Sequence, residues 1–170
     1  DVAVSALLTG ESTAGRSVLF WNKGEGKIKS ELAEVPVLVT AVWTGASADT
    51  RALIDAVRAS AAAGSILVEL GKASDRGMTA WRNGDGAAVL AAAAESARLL
   101  LHLGLVSGVD IVTAEHEEIS EIAGPGVVCK PSGAGGGDMA LLLAMDPKEM
   151  SVAEAALREA GYLIFARLPK

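Results

Sequence analysis

The sequence predicts an α+β domain in which an antiparallel sheet is covered by helices, mostly on one face. Three observations carry that expectation. Residues 35–43, V-P-V-L-V-T-A-V-W, form a nearly continuous β-branched run of the length of a buried strand. Beyond residue 47 the apolar period changes from strand to helix. Two apolar runs, 127–129 and 139–145, flank a glycine-rich loop, and Y-L-I-F-A-R-L at 162–168 closes the chain as a last strand.

Taken in order, S-V-L-F-W at 17–21 is a short strand, and the turn chemistry of N-K-G-E-G-K starts a hairpin or loop. The strand at 35–43 ends at Thr44-Gly45. Ser47 then caps a helix with Leu53, Ile54, Val57 and Ala61 on one face. After the loose W-R-N-G-D-G turn at 81–86, Leu90, Ala94, Ala97 and Leu101 recur at helical spacing as a small apolar face suited to close packing. Thr113 opens a third helix with Glu115, Glu117 and Glu118 at its positive dipole end, and Gly124-Pro125-Gly126 stops it. Ser151 and Glu154 have capping-box spacing for a final helix that Gly161 terminates.

Composition bounds the function. With 170 residues, 51% hydrophobic and 21% charged, the chain can bury one domain-sized core. Much of the apolar content is alanine, and no apolar run approaches the roughly 18–20 residues that span a bilayer, so no membrane partner is expected. A net charge of −6 argues against nucleic acid and acidic membrane surfaces, and leaves room for a local basic site that takes a phosphorylated small molecule. A single cysteine, Cys129, excludes an internal disulfide framework and suits a reducing, cytoplasmic setting. The start, D-V-A-V-S-A-L-L-T-G, has no initiator Met, basic n-region or cleavage pattern, and reads as part of something longer.

The densest chemistry lies at K-P-S-G-A-G-G-G-D, 130–138. Four glycines there each cost roughly 0.5–1 kcal/mol relative to Ala, so they answer to unusual dihedrals or to close approach of something to the backbone. One reading is a strand connection whose glycines only satisfy turn geometry. The other is a nest in which the amides of Gly133, Ala134, Gly135, Gly136 and Gly137 converge on an anion, with Lys130 adding charge and Ser132 a hydroxyl. Asp138 can fix the loop by accepting N–H bonds or, as a substrate- and phosphate-site candidate, contact substrate directly. The order of residues is neither a Walker A loop nor a dinucleotide fingerprint. Thr44 and Ser47, where a strand meets a helix N-terminus, are further anion-binding candidates, although capping explains Ser47 equally well. His102 and His116 lack the spacing of metal ligands, and no metal site is expected in the chain. Cys129 adjoins Lys130, which can lower its pKa, but single buried cysteines are usually packing residues.

These residues resemble a known family. K-P-S-G-A-G-G-G-D is similar to the third motif of the GHMP kinases, and its K-P-S…D form is most similar to phosphomevalonate kinases. V-W-T-G-A-S-A-D-T at 42–50 resembles a helix-starting segment of the same enzymes, and D-V-A at 1–3 the end of another of their motifs. The resemblance runs from residue 1 to about 168 and covers the C-terminal half of such an enzyme. It implies a ferredoxin-like C-terminal domain at 34–170, preceded at 1–33 by the end of the N-terminal kinase domain and a connecting segment. It also implies an ATP-dependent phosphotransferase acting on mevalonate 5-phosphate, inactive without its N-terminal half, which would be its partner and would hold most of the ATP and Mg. Lys130 then neutralises phosphate charge, Asp1 matches the family's active-site aspartate, and the glycine loop with Ser132 shapes the phosphate site. Mevalonate kinase, another GHMP kinase, or a noncatalytic binding or assembly domain are the alternatives.

Overall fold

A computed structural model of the chain describes residues 17–22, 27–32 and 36–168, with only the backbone course of 17–22, 27–32 and 166–168. Strands β1 (Ser17–Asn22) and β2 (Lys27–Leu32) pair antiparallel, with Ser17 opposite Leu32. This is the hairpin that the turn chemistry predicts, although its turn lies outside the described residues.

The second sheet contains β3 (Leu38–Trp43), β4 (Val128–Pro131), β5 (Met139–Ala144) and β6 (Leu163–Leu168) in the order β4-β5-β3-β6, with every pairing antiparallel. Four helices, α1 (Thr50–Ala59), α2 (Ala63–Arg82), α3 (Gly86–Ser107) and α4 (Ala114–Ala123), connect β3 to β4. A fifth, α5 (Pro147–Glu159), connects β5 to β6. This is the ferredoxin-like order with an enlarged first crossover.

Several helix starts differ from expectation. Asp49, not Ser47, caps α1, its carboxylate accepting from Ala52 N at 3.0 Å. Helix α5 begins four residues before Ser151, at Pro147, with Asp146 accepting from Lys148 N at 2.8 Å. Ser151 is therefore mid-helix and exposed, while Glu154 turns into the core. Helix α2 has no counterpart in the sequence reading: it lacks a side-chain cap and carries Gly64, Gly71 and Gly77. Packing sustains it instead, since a Cβ on Gly77 would stand 3.3 Å from that of Ala92 on α3.

In α3, which Asp85 caps through Ala88 N, the buried side chains are Val89, Ala92, Leu99 and Leu103 rather than the expected stripe through Ala94 and Leu101. A helix this rich in alanine is apolar all round, so periodicity cannot select its buried side. Contrary to expectation, α3 is long and apolar enough to cross a membrane, at 22 residues and mean hydropathy 1.5. Its contacts with α1, α2, β4 and β5 give that composition a place within the fold.

Alternation along the strands divides the core. Val42, Ala140, Leu142 and Ala144 face Ile119 of α4 and Met150, Ala153 and Leu157 of α5. On the opposite face Leu141, Leu143 and Val128 meet Ala80, Val89 and Ala93 at the tip of the α2–α3 hairpin. Helices thus cover one face and part of the other. A separate cluster of Ala63, Ile66, Ala73, Leu99, Leu103 and Ile111 holds the helical layer together. Within the first core Thr40 donates to Glu154 Oε1 at 2.7 Å, with both residues buried. Leaving a buried carboxylate oxygen without its donor costs about 1–3 kcal/mol.

The glycine-rich loop is seated on this frame. A Cβ on Gly135 would overlap the Ile111 carbonyl, one on Gly136 would stand 2.5 Å from Leu53 Cδ1, and one on Gly137 would stand 2.8 Å from the Ala46 carbonyl oxygen. A Cβ on Gly133 would meet nothing within 4 Å, so there only its φ of +66° selects glycine. Urea unfolding should therefore rank the loop glycines: Gly135→Ala costs about 3 kcal/mol, for clash plus left-handed strain, and Gly133→Ala about 1 kcal/mol. Equal costs would contradict this seating. In the same assay Thr40→Val should lower stability by about 2 kcal/mol with an unchanged denaturant slope, and a loss below about 0.5 kcal/mol would remove the Thr40–Glu154 bond from the account.

Candidate functional site

The loop is latched at its end to the junction between β3 and α1. Thr44 N donates to the Asp138 carbonyl at 3.0 Å, and Asp138 N to the Ala46 carbonyl at 2.7 Å, continuing the β3–β5 ladder past both strands. Thr44 Oγ1 is shared between the carbonyls of Asp138 (3.1 Å) and Ala46 (3.2 Å), and Ala48 N donates to Asp138 Oδ1 at 3.3 Å. These bonds hold Asp138 at φ +55°, the one non-glycine residue at positive φ among the described residues. Asp138 thus has the loop-fixing role that its position suggests. Thr44, buried, spends its hydroxyl on the latch, while Ser47 is exposed beside it.

At the other end Ser132 N donates to the Met139 carbonyl at 2.8 Å, and in the middle Gly136 N donates to the Ile111 carbonyl at 2.8 Å. The N–H groups of Gly133, Ala134, Gly135 and Gly137 have no acceptor among the described residues. Gly135 and Gly137 are buried, whereas Gly133 and Ala134 are exposed. The tip therefore has two exposed residues whose N–H groups are without an acceptor among the described residues, next in sequence to Ser132; successive N–H groups of this kind can take an oxyanion.

Lys130 stands at the base of the loop. Its Nζ donates to the Pro131 carbonyl at 2.6 Å, and burial holds its pKa below the ordinary lysine value. It lines a pocket of about 250 Å³ between α3, α4 and β4, together with Arg98, His116 and Glu117. Arg98 carries no sequence signal, because the fold alone brings α3 beside β4. His116 is buried, and its Nδ1 accepts from Thr113 N at 3.2 Å in a capping box, which leaves the proton on Nε2. Burial lowers its pKa, opposed by the Met139 carbonyl and then Glu115. Burial pushes the Cys129 thiol up to about 11, outweighing the opposing charge of Lys130. Cys129 is accordingly a packing group rather than a nucleophile. Among the described residues no cluster of His, Cys, Asp or Glu could hold a metal, and His102 is exposed on α3. Asp1 lies outside the described residues.

No family model matches the chain, and no curated protein matches its sequence. Its structure is similar to several solved ones. The Lin0012 protein of Listeria innocua matches at TM-score 0.70 and 22% identity over 82% of this chain and 41% of its own length. Streptococcus pneumoniae phosphomevalonate kinase, in complex with phosphomevalonate and AMPPNP, matches at TM-score 0.71 and 17% identity over 84% and 43%. L. major mevalonate kinase in complex with R-mevalonate matches at TM-score 0.61 and 18% identity over 83% and 44%. The chain thus spans less than half the length of these proteins. What they share with it at these identities is architecture: the chain has the α+β fold of the C-terminal half of GHMP kinases.

Proposed function

We propose that this chain is the C-terminal part of a cytoplasmic ATP-dependent small-molecule kinase that phosphorylates mevalonate 5-phosphate to the diphosphate. The observation that carries the reading is the loop tip: the open N–H groups of Gly133 and Ala134 and the Ser132 hydroxyl, held out by a latched and closely packed loop. A likeness in fold to a kinase whose structure contains phosphomevalonate and a nucleotide analogue supports it.

Transfer of a γ-phosphoryl group to a phosphate brings two polyanions together, so the protein's task is mainly positioning and charge neutralisation. In the proposed reaction the loop tip binds phosphate oxygens through Ser132 and the two amides. The Lys130 ammonium releases the Pro131 carbonyl to meet an oxygen near the acceptor. The acceptor phosphate is already ionised near neutral pH and needs no general base, so Asp1 would orient rather than deprotonate. ATP and Mg are expected to be held mainly by an N-terminal half of the enzyme. The Asp138 carboxylate is engaged by Ala48 N in the latch, and among the described residues no group of three or more His, Cys, Asp or Glu is placed to hold a metal. The likeness to a mevalonate kinase keeps mevalonate itself as the alternative acceptor.

The test is ADP release from Mg-ATP by the chain combined with its N-terminal half. Activity is expected with mevalonate 5-phosphate and not with mevalonate, reduced about 100-fold by Lys130→Ala and about 10-fold by Ser132→Ala. A folded enzyme that releases no ADP above background with mevalonate 5-phosphate would overturn the assignment.

A further inference from the structure

The segment that seats the glycine-rich loop is itself held by a histidine. Gly136 N, in the middle of the loop, donates to the Ile111 carbonyl at 2.8 Å, and a Cβ on Gly135 would overlap the same carbonyl. Two residues on, Thr113 N donates to His116 Nδ1 at 3.2 Å, and the Thr113 hydroxyl stands 2.9 Å from that nitrogen. Ile111 N donates to the Val109 carbonyl at 3.0 Å, so residues 111–113 are held at one end by backbone and at the other by His116. His116 is 2% exposed, and its Nε2 has no hydrogen-bond partner among the described residues. The ring lies among groups of the proposed phosphate site. It shares the pocket between α3, α4 and β4 with Lys130 and Arg98. The Met139 carbonyl, which accepts from Ser132 N where the loop begins, also acts on it.

We infer that His116, in its neutral form, is a positioning residue for the phosphate loop: its Nδ1 fixes Thr113 and, through residues 111–113, the carbonyl on which the loop rests. This rests on the reading of the loop as a phosphate site. Glu or Gln is the usual residue at this place in a capping box, and each accepts the N-cap N–H through an oxygen. Imidazole accepts through a nitrogen that a proton can occupy. The Thr113 hydroxyl can turn to accept from a protonated ring, but Thr113 N can only donate and loses its partner. The new charge also enters the pocket that Lys130 of β4 and Arg98 of α3 line, with Glu115 and Glu117 of its own helix as the opposing charges. Burial, and after it the Lys130 charge, keep the ring neutral near pH 7 against the Met139 carbonyl and Glu115. The seat is therefore intact at neutral pH and loosens only as the pH falls below the ordinary histidine value of 6.5.

The test is NMR of the full chain, following the His116 ring and backbone amide exchange between about pH 7.5 and 4.5, in the wild type and in His116→Gln, which keeps an accepting oxygen for Thr113 N and does not titrate. Below the midpoint of the ring, Gly136 N–H should exchange about fivefold faster in the wild type than in the variant, the worth of one hydrogen bond. At neutral pH the two rates should agree, and comparison at equal pH cancels the intrinsic pH dependence of exchange. Asp138 N–H, bonded to the Ala46 carbonyl at 2.7 Å and not to this seat, should exchange alike in both. The Thr113 and Gly136 amide shifts of the wild type should follow the ring with one midpoint, a reading that needs no variant. Gly136 exchange that ignores the ring's titration, equal acceleration at Asp138, which marks general loosening, or a ring still neutral at about pH 4.5 would each overturn the inference. These readouts concern seating alone, so an assembled enzyme that shows them but releases no ADP contradicts the kinase reading and not this one.

Discussion

The candidate site depends on the bonds between Asp138 and the segment 44–48. A loop with four glycines in five residues would ordinarily be too costly in backbone entropy to hold one shape. Here the β3–β5 pairing extends past the strands through Thr44 N and the Asp138 carbonyl, then through Asp138 N and the Ala46 carbonyl, with the Asp138 carboxylate reaching on to Ala48 N. Each bond contributes on the order of 1 kcal/mol, enough together to hold Asp138 in its left-handed conformation and to fix where the loop returns. Everything at the tip is positioned from there.

This latch also separates two uses of glycine within one loop. Gly135, Gly136 and Gly137 are small because protein lies where their side chains would be, against Ile111, Leu53 and Ala46. Gly133 faces open space and is free to expose its amide. The structural and the anion-binding readings of the loop therefore apply to different residues. The same division separates Lys130, half-buried at the base with its ammonium on the Pro131 carbonyl, from the exposed residues of the tip.

Much of the sheet was legible in the sequence because its signal is local. The runs at 17–21, 35–43, 139–145 and 162–168 all contain strands, and the loop does join two extended segments. The helices were less legible where tertiary packing overrides propensity. Gly77 argues against a helix in isolation, yet a close α2–α3 contact needs it. Ser151 and Glu154 satisfy capping-box spacing, but a better start four residues earlier, with Asp146 and Pro147, wins and frees Glu154 for Thr40. The loop's chemistry was visible as residue types, whereas which amides are spent and which are open is decided by Ile111 and Ala46, distant in sequence. Arg98 reaches the pocket beside Lys130 only through the fold.

The central claim is that the open donors at the loop tip, and not the loop as a whole, receive phosphate. Its most direct measurement is an amide NMR titration of the folded chain with mevalonate 5-phosphate, following the loop resonances individually. The account predicts concentration-dependent shifts at Gly133 and Ala134, with Gly136 and Asp138, whose N–H groups already have carbonyl partners, nearly stationary. Stationary Gly133 and Ala134 signals at saturating ligand, or equal movement of all four amides, would contradict it.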